Sequence, residues 1–123
     1  MLPSQAVECR RILVVDDNPD AADSLSMLLQ LDGHSVRVAG DGDSALSALA
    51  DLLPDVAILD IGLPGSNGFE VAKQIRSRYG ETLRLIALTG WGEAEDRMRS
   101  TDAGFDAHLT KPVDYQALQS LIS

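Results

Sequence analysis

The feature that most constrains this chain is an alternation. Short apolar runs that read as strands are separated each time by a segment with helical apolar spacing. Ile12-Leu13-Val14-Val15 opens the series, rich in β-branched residues, and Asp16-Asp17-Asn18-Pro19 ends it abruptly. The pattern predicts strands over 11–16, 35–39, 55–60, 83–88 and 105–110. The intervening helices carry apolar stripes at Ala21, Leu25, Leu28 and Leu29, at Ala45, Leu46, Leu49 and Leu53, and at Val71, Ala72, Ile75 and Tyr79. Gly33, Pro54 and Gly80 follow them as stop signals. A further helix over 93–103 has the weakest pattern, Ala94, Met98 and Ala103 among many charges, and ends at Gly104. Leu118, Leu121 and Ile122 mark a last helix.

Helical crossovers between successive strands require a parallel sheet covered on both faces, with right-handed connections. Strands one, three and four are almost continuously apolar and belong in the centre. Strand two alternates, Ser35-Val36-Arg37-Val38-Ala39, and belongs at an edge. The order 2-1-3-4-5 satisfies both conditions, giving a flavodoxin-like α/β fold: a (βα)5 three-layer sandwich on a parallel five-stranded sheet. Its switch point, where such sheets bind ligands, falls between strands one and three. At 123 residues the chain suits one domain over 11–123, preceded by a lead-in segment over 1–10.

Composition removes several classes of function. The net charge of −9 argues against a nucleic-acid surface, which needs clustered Lys and Arg. No apolar run approaches the ~18 residues needed to span a bilayer, and Met1-Leu2-Pro3-Ser4-Gln5 lacks a signal-peptide pattern, so a cytoplasmic protein is expected. The single cysteine, Cys9, offers neither an internal disulfide nor a zinc site.

The strand ends carry the chemistry. Strands one and three deliver Asp16, Asp17 and Asp60 to one crevice. A cap on the next helix by Asp17 or Asn18, with Pro19 in its first turn, is an equal reading of the first pair taken alone. Three carboxylates brought together repel one another and call for a cation. Oxygen-only ligands point to a hard divalent ion, and a site with room for water favours Mg²⁺ over Ca²⁺. Thr89 at the end of strand four brings a hydroxyl donor, and Lys111 at the end of strand five a point charge. In that company Asp60 is a candidate nucleophile toward phosphorus, forming an acyl phosphate. Each of these residues alone is most often a turn, cap or surface residue; their joint placement is what carries the reading.

The motifs Val-Val-Asp16-Asp17-Asn, Leu-Asp60-Ile-Gly-Leu-Pro64-Gly-Ser-Asn-Gly68, Leu-Thr89-Gly and Leu-Thr-Lys111-Pro112 resemble those of response-regulator receiver domains of two-component signalling, across nearly the whole chain. The resemblance implies that Asp60 is the phosphoacceptor, that Asp17, Asp60 and the Gly62 carbonyl bind Mg²⁺, and that Asp16 contributes directly or through water. It implies a phosphorelay in which a histidine kinase or histidine phosphotransfer protein is the donor. The output is then a switching face made of the helix over 93–103, strand five and the last helix, read by an output domain or protein partner. No direct contact with nucleic acid or membrane is expected. It further implies a cis Lys111-Pro112 bond, which X-Pro chemistry makes inexpensive. Residues 104–114 look most like receivers attached to hybrid histidine kinases.

Several positions depart from the pattern. His108 stands where the family has a Tyr or Phe switch residue, and Ser66-Asn67 where Met-Asp is common. Gly62 and Trp91 occupy the positions that tune access to the acyl phosphate. The expected role is a switch, not an enzyme turning over an outside substrate. A Mg²⁺-dependent aspartyl-phosphate hydrolase of haloacid-dehalogenase type fits less well, because it expects Asp-x-Asp and a cap insertion.

Overall fold

Five strands, β1 (Arg11–Val15), β2 (Ser35–Ala39), β3 (Val56–Asp60), β4 (Arg84–Thr89) and β5 (Ala107–Thr110), form one sheet in the order β2-β1-β3-β4-β5, every pairing parallel. The helices are α1 (Pro19–Leu31), α2 (Gly42–Leu52), α3 (Gly68–Tyr79) and α4 (Tyr115–Ile122). The structure, a computed structural model, describes residues 10–52, 54–61, 68–80, 82–89, 104–110 and 113–122, with the backbone alone at Leu52 and Thr89. The expected helix over 93–103, Leu53, Cys9 and the rest of the lead-in segment before residue 10 lie outside the described residues. Among the described residues no helix is long and apolar enough to cross a membrane.

The strand order follows from burial. β3 is buried along its whole length, whereas β2 and β5 carry exposed or half-buried positions, as edge strands must. Alternate strand residues point to opposite faces. Leu13, Val15, Ala57, Leu59, Leu85 and Ala87 pack with α2 and α3 through Ala45, Leu49, Val71, Ala72 and Ile75. Ile12, Val14, Val56, Ile58, Ile86 and Leu88 pack on the other face with α1 and α4 through Ala22, Leu29, Leu118 and Ile122. Two cores share one sheet, and this makes the three layers.

α1 departs from its expected stripe. Ala22, Ser26 and Leu29 are buried and Leu25 is half-buried, whereas Ala21 is exposed and Leu28 is 43% exposed. The apolar residues in the second half of this helix outnumber the positions one face can bury, so two phases compete. The helix takes the 22/25/26/29 phase and leaves Met27 and Leu31 in solvent. Its start is settled as well: the Asn18 side chain accepts the N–H groups of Asp20 (3.0 Å) and Ala21 (3.3 Å), with Pro19 in the first turn. The cap is Asn18, and the Asp17 side chain has no part in it.

At the opposite end of the sheet, Arg76 of α3 ties three segments together. Its guanidinium donates to the carbonyls of Gly80 (2.9 Å), Leu83 (2.8 Å) and Gly104 (2.8 Å) and to Asp106 Oδ2 (2.8 Å). Asp106 Oδ2 also accepts the Leu85 N–H at 2.9 Å, so the entry to β5 is locked onto β4. Gly104 lies in the left-handed region (φ +102), and a Cβ there would meet Arg76 Cγ at 2.7 Å.

Candidate functional site

All five strands end at the same edge of a parallel sheet, so what terminates them is gathered there. Asp16 directly follows β1, and its N–H donates to the Ala39 carbonyl (3.0 Å), extending the β1 pairing with β2 by one residue. Asp60 closes β3 one step beyond the Val15–Leu59 register pair. Carboxylate oxygens of Asp16, Asp17 and Asp60 lie within 4.8 Å of one another. Asp16 and Asp60 are 4% and 9% exposed, and Asp17 faces solvent. Asp16 Oδ1 accepts the Asn18 N–H at 3.0 Å, which fixes the turn joining β1 to α1 and holds this carboxylate toward the crevice.

Desolvating two carboxylates beside a third raises the free energy of the ionised cluster unless positive charge arrives. The donor set is entirely carboxylate oxygen, compact and open on one side through Asp17. Those features fit a small hard divalent ion that keeps part of its water shell, as Mg²⁺ does.

The loop after Asp60 leaves and returns at one point. The Ile61 N–H donates to the Leu88 carbonyl (3.0 Å), and the Gly68 N–H donates to the Ile61 carbonyl (2.8 Å). The approach is so close that a Cβ on Gly68 would sit 2.7 Å from Ile61 Cα and 2.9 Å from the Asp60 carbonyl oxygen. Both obstacles are backbone, so neither rotates away. Gly68→Ala is therefore expected to cost about 2 kcal/mol of stability by forced overpacking, and to displace the main chain at Asp60. Urea denaturation beside a Mg²⁺ titration checks this; unchanged values for both would show the backbone yielding freely.

The remaining predicted residues fall as follows. Thr89 is the last residue of β4 and pairs in register with Thr110, with its side chain outside the described set. His108 is half-buried on β5, in register with Ala87. Gly62, Ser66, Asn67, Trp91, Lys111 and Pro112 lie outside the described residues. Asn18 and Gly68 are structural supports whose sequence signals, a cap residue before proline and a glycine opening a helix, are visible but common.

A cavity of about 460 Å³ lies at the other edge of the sheet, lined by Arg10, Asp55, Thr82, Arg84 and Asp106 among others. Its carboxylates are already engaged. Asp55 Oδ2 accepts the Arg11 N–H (2.9 Å), and Asp106 holds Arg76. The edge with the clustered carboxylates is therefore the better candidate.

Residues 12–123 match the family model of the response regulator receiver domain. The chain is 43% identical over 112 residues to an uncharacterized 14.6 kDa protein of Leptolyngbya boryana, covering 90% of this chain and 86% of that protein. It is 40% identical over 113 residues to response regulator MprA of Mycobacterium sp. (strain KMS), covering 92% of this chain but 47% of MprA, so it spans about half the length of that relative. Among solved structures, the CheY-like receiver domain protein of Methanospirillum hungatei superposes with a TM-score of 0.86 at 30% identity, covering 94% of this chain and 91% of that one. Chemotaxis response regulator CheY4 of Vibrio cholerae gives 0.85 at 30% identity, covering 93% of this chain and 99% of that one. Five parallel strands in the order 2-1-3-4-5, an acidic cluster at their carboxyl edge and a family match over nearly the whole chain agree: this chain belongs to the response regulator receiver domain family.

Proposed function

We propose that the domain is the phosphoacceptor of a two-component phosphorelay, receiving a phosphoryl group on Asp60 from a histidine kinase or histidine phosphotransfer protein. The observation that carries this is Asp60 itself, a buried carboxylate at the end of a central strand, within 4.8 Å of two others. An Asp60 carboxylate oxygen attacks phosphorus, the P–N bond of the donor's phosphohistidine breaks, and the departing imidazole takes up a proton. Asp60 becomes an acyl phosphate. Bound Mg²⁺, held by Asp17, Asp60 and the Gly62 carbonyl with Asp16 alongside, would neutralise charge on the phosphoryl oxygens. Lys111 supplies the remaining positive charge, and the Thr89 hydroxyl donates to a phosphoryl oxygen. Seen this way the domain is a switch and not a turnover enzyme, and its output face comprises residues 93–103, β5 and α4. The likeness of residues 104–114 to receivers of hybrid histidine kinases makes such a kinase the preferred parent or partner.

Phosphotransfer profiling tests the reading. The label is expected to move from phosphorylated histidine donors to this chain in a one-to-one ratio. Sustained phosphate release from an external phosphomonoester would instead make it a hydrolase.

His108 gives the switch a titratable group at the position between core and surface. Imidazole is the side chain best suited to change charge within the physiological pH range, so the response of the β5 face to phosphorylation is expected to vary with pH there. His108→Tyr should remove that variation, and identical pH profiles for the two proteins would show that His108 has no switching part.

A further inference from the structure

The chain carries a net charge of −9, yet its cations are not spread evenly. Among the described residues, Arg10 and Arg11 stand at the start of β1, Arg84 at the start of β4, and Arg76 and Arg78 in the last turn of α3. All five lie at the amino edge of the sheet; Arg37 and Lys73 are elsewhere. The clustered carboxylates Asp16, Asp17 and Asp60 occupy the carboxyl edge. The two ends of the sheet therefore differ in the charge they offer a ligand.

The cavity of about 460 Å³ opens at the amino edge, among the starts of β1, β3, β4 and β5 and the end of α4. Its size is that of a small-molecule site. Two aspartates line it, and both serve the backbone. Asp55 Oδ2 accepts the Arg11 N–H, and Asp106 Oδ2 accepts the Leu85 N–H beside the Arg76 guanidinium. These bonds satisfy strand N–H groups that a sheet edge otherwise leaves to water. The Thr82 hydroxyl is likewise spent, donating to the Tyr79 carbonyl at 2.8 Å.

The guanidinium groups are used differently. Arg84 donates from Nη1 to the Leu121 carbonyl, one of the carbonyls that the end of a helix cannot satisfy by itself. Among the described residues that bond takes one of its five N–H groups, and the side chain is exposed. Arg10 lines the same cavity, half-buried. With Asp106 paired to Arg76, Arg10 and Arg84 outnumber Asp55, so the lining is net positive. Between these polar groups the wall is apolar, formed by Val56, Leu83 and Ile122.

We propose that this cavity binds a small organic anion, its carboxylate or phosphate group held by Arg84 and Arg10 and its apolar body resting on Val56, Leu83 and Ile122. A guanidinium presents paired donors in a planar fork that matches either head group, and a positive lining draws such a ligand from solution. The ligand touches the starts of β1 and β4 and the end of α4 together, so it ties the last helix to the sheet at the end of the domain opposite Asp60. The site is independent of the phosphoacceptor reading.

Hexanoate and hexyl phosphate are the probes, with hexanol as the neutral molecule of the same chain length. Each is titrated into the full chain at fixed ionic strength, and NMR follows the methyl signals of Val56, Leu83 and Ile122 and the Nε–H signal of Arg84. At least one anion is expected to give saturating shifts at these four residues, with hexanol about tenfold weaker or more. The anion that binds more tightly identifies the head group as carboxylate or phosphate. Arg84→Gln and Arg10→Gln should each weaken binding by about tenfold, and either variant decides the matter if the other fails to fold. Arg37→Gln removes the same charge away from the cavity and should change affinity by less than about twofold. Absence of saturating shifts with both anions overturns the proposal, as does equal binding of hexanol. An equal loss in Arg37→Gln overturns it too, because the attraction is then one of net charge. So do saturating shifts confined to Met27 and Leu31, the exposed apolar residues of α1.

Discussion

Asp60→Asn is expected to leave the protein without a phosphoryl label. The carboxamide has the size of the carboxylate, so the packing at the end of β3 is unchanged, but its oxygen is a poor nucleophile and its nitrogen none. Labelling by phosphoramidate with Mg²⁺ should fall by more than about 100-fold, the scale on which removal of a nucleophile acts. The same substitution should raise stability in the absence of divalent cations. Asp16, Asp17 and Asp60 crowd within 4.8 Å, and neutralising one relieves repulsion worth on the order of 1 kcal/mol. Thermal unfolding in EDTA would then show a Tm a few degrees above wild type. A residue that only caps or turns would give the opposite sign, so the two measurements together separate a reactive carboxylate from a structural one.

Asp17→Ala is expected to abolish Mg²⁺-dependent phosphorylation while leaving the fold intact. Asp17 is exposed, and the cap of α1 is made by Asn18, so the substitution removes neither core nor helix start. What it removes is the solvent-facing carboxylate of the cluster. In wild type, Mg²⁺ at about ten times its Kd should add about 1.4 kcal/mol to the unfolding free energy, because the ion binds the folded state alone. That corresponds to a rise in Tm of several degrees. In Asp17→Ala the rise should vanish, and labelling should fall by about 100-fold or more. A Mg²⁺-induced rise equal to that of wild type would return Asp17 to the role of a bystander beside a capped helix.

Much of this was legible in the sequence, for a physical reason. A strand buried on both faces must be apolar throughout, so Ile12–Val15, Val56–Leu59 and Leu85–Leu88 identify themselves, and a strand with alternating polarity identifies the edge. Carboxylates that stop such strands stand out because nothing in the core accounts for them. Other features were hidden. The apolar residues Met27, Leu28, Leu29 and Leu31 support more than one helix phase, and only packing against β1 and β2 selects Ala22, Ser26 and Leu29 for burial. Asp17 and Asn18 are both good caps, and backbone geometry alone decides for Asn18. The hydrogen bond from the Tyr115 hydroxyl to Asp32 joins residues 83 apart with no local pattern to announce it. Gly68 reads as an ordinary loop glycine until the backbone of Asp60 and Ile61 is found against it.

The central claim is that Asp60 takes up a phosphoryl group with the help of a cation held at Asp16, Asp17 and Asp60. Its most direct test is peptide mapping of wild-type protein after exposure to phosphoramidate, once with Mg²⁺ and once with EDTA. The expected result is a single phosphoryl group, located on Asp60, formed with Mg²⁺ and absent with EDTA. A label on any other residue, or equal labelling of Asp60 under both conditions, would contradict the account.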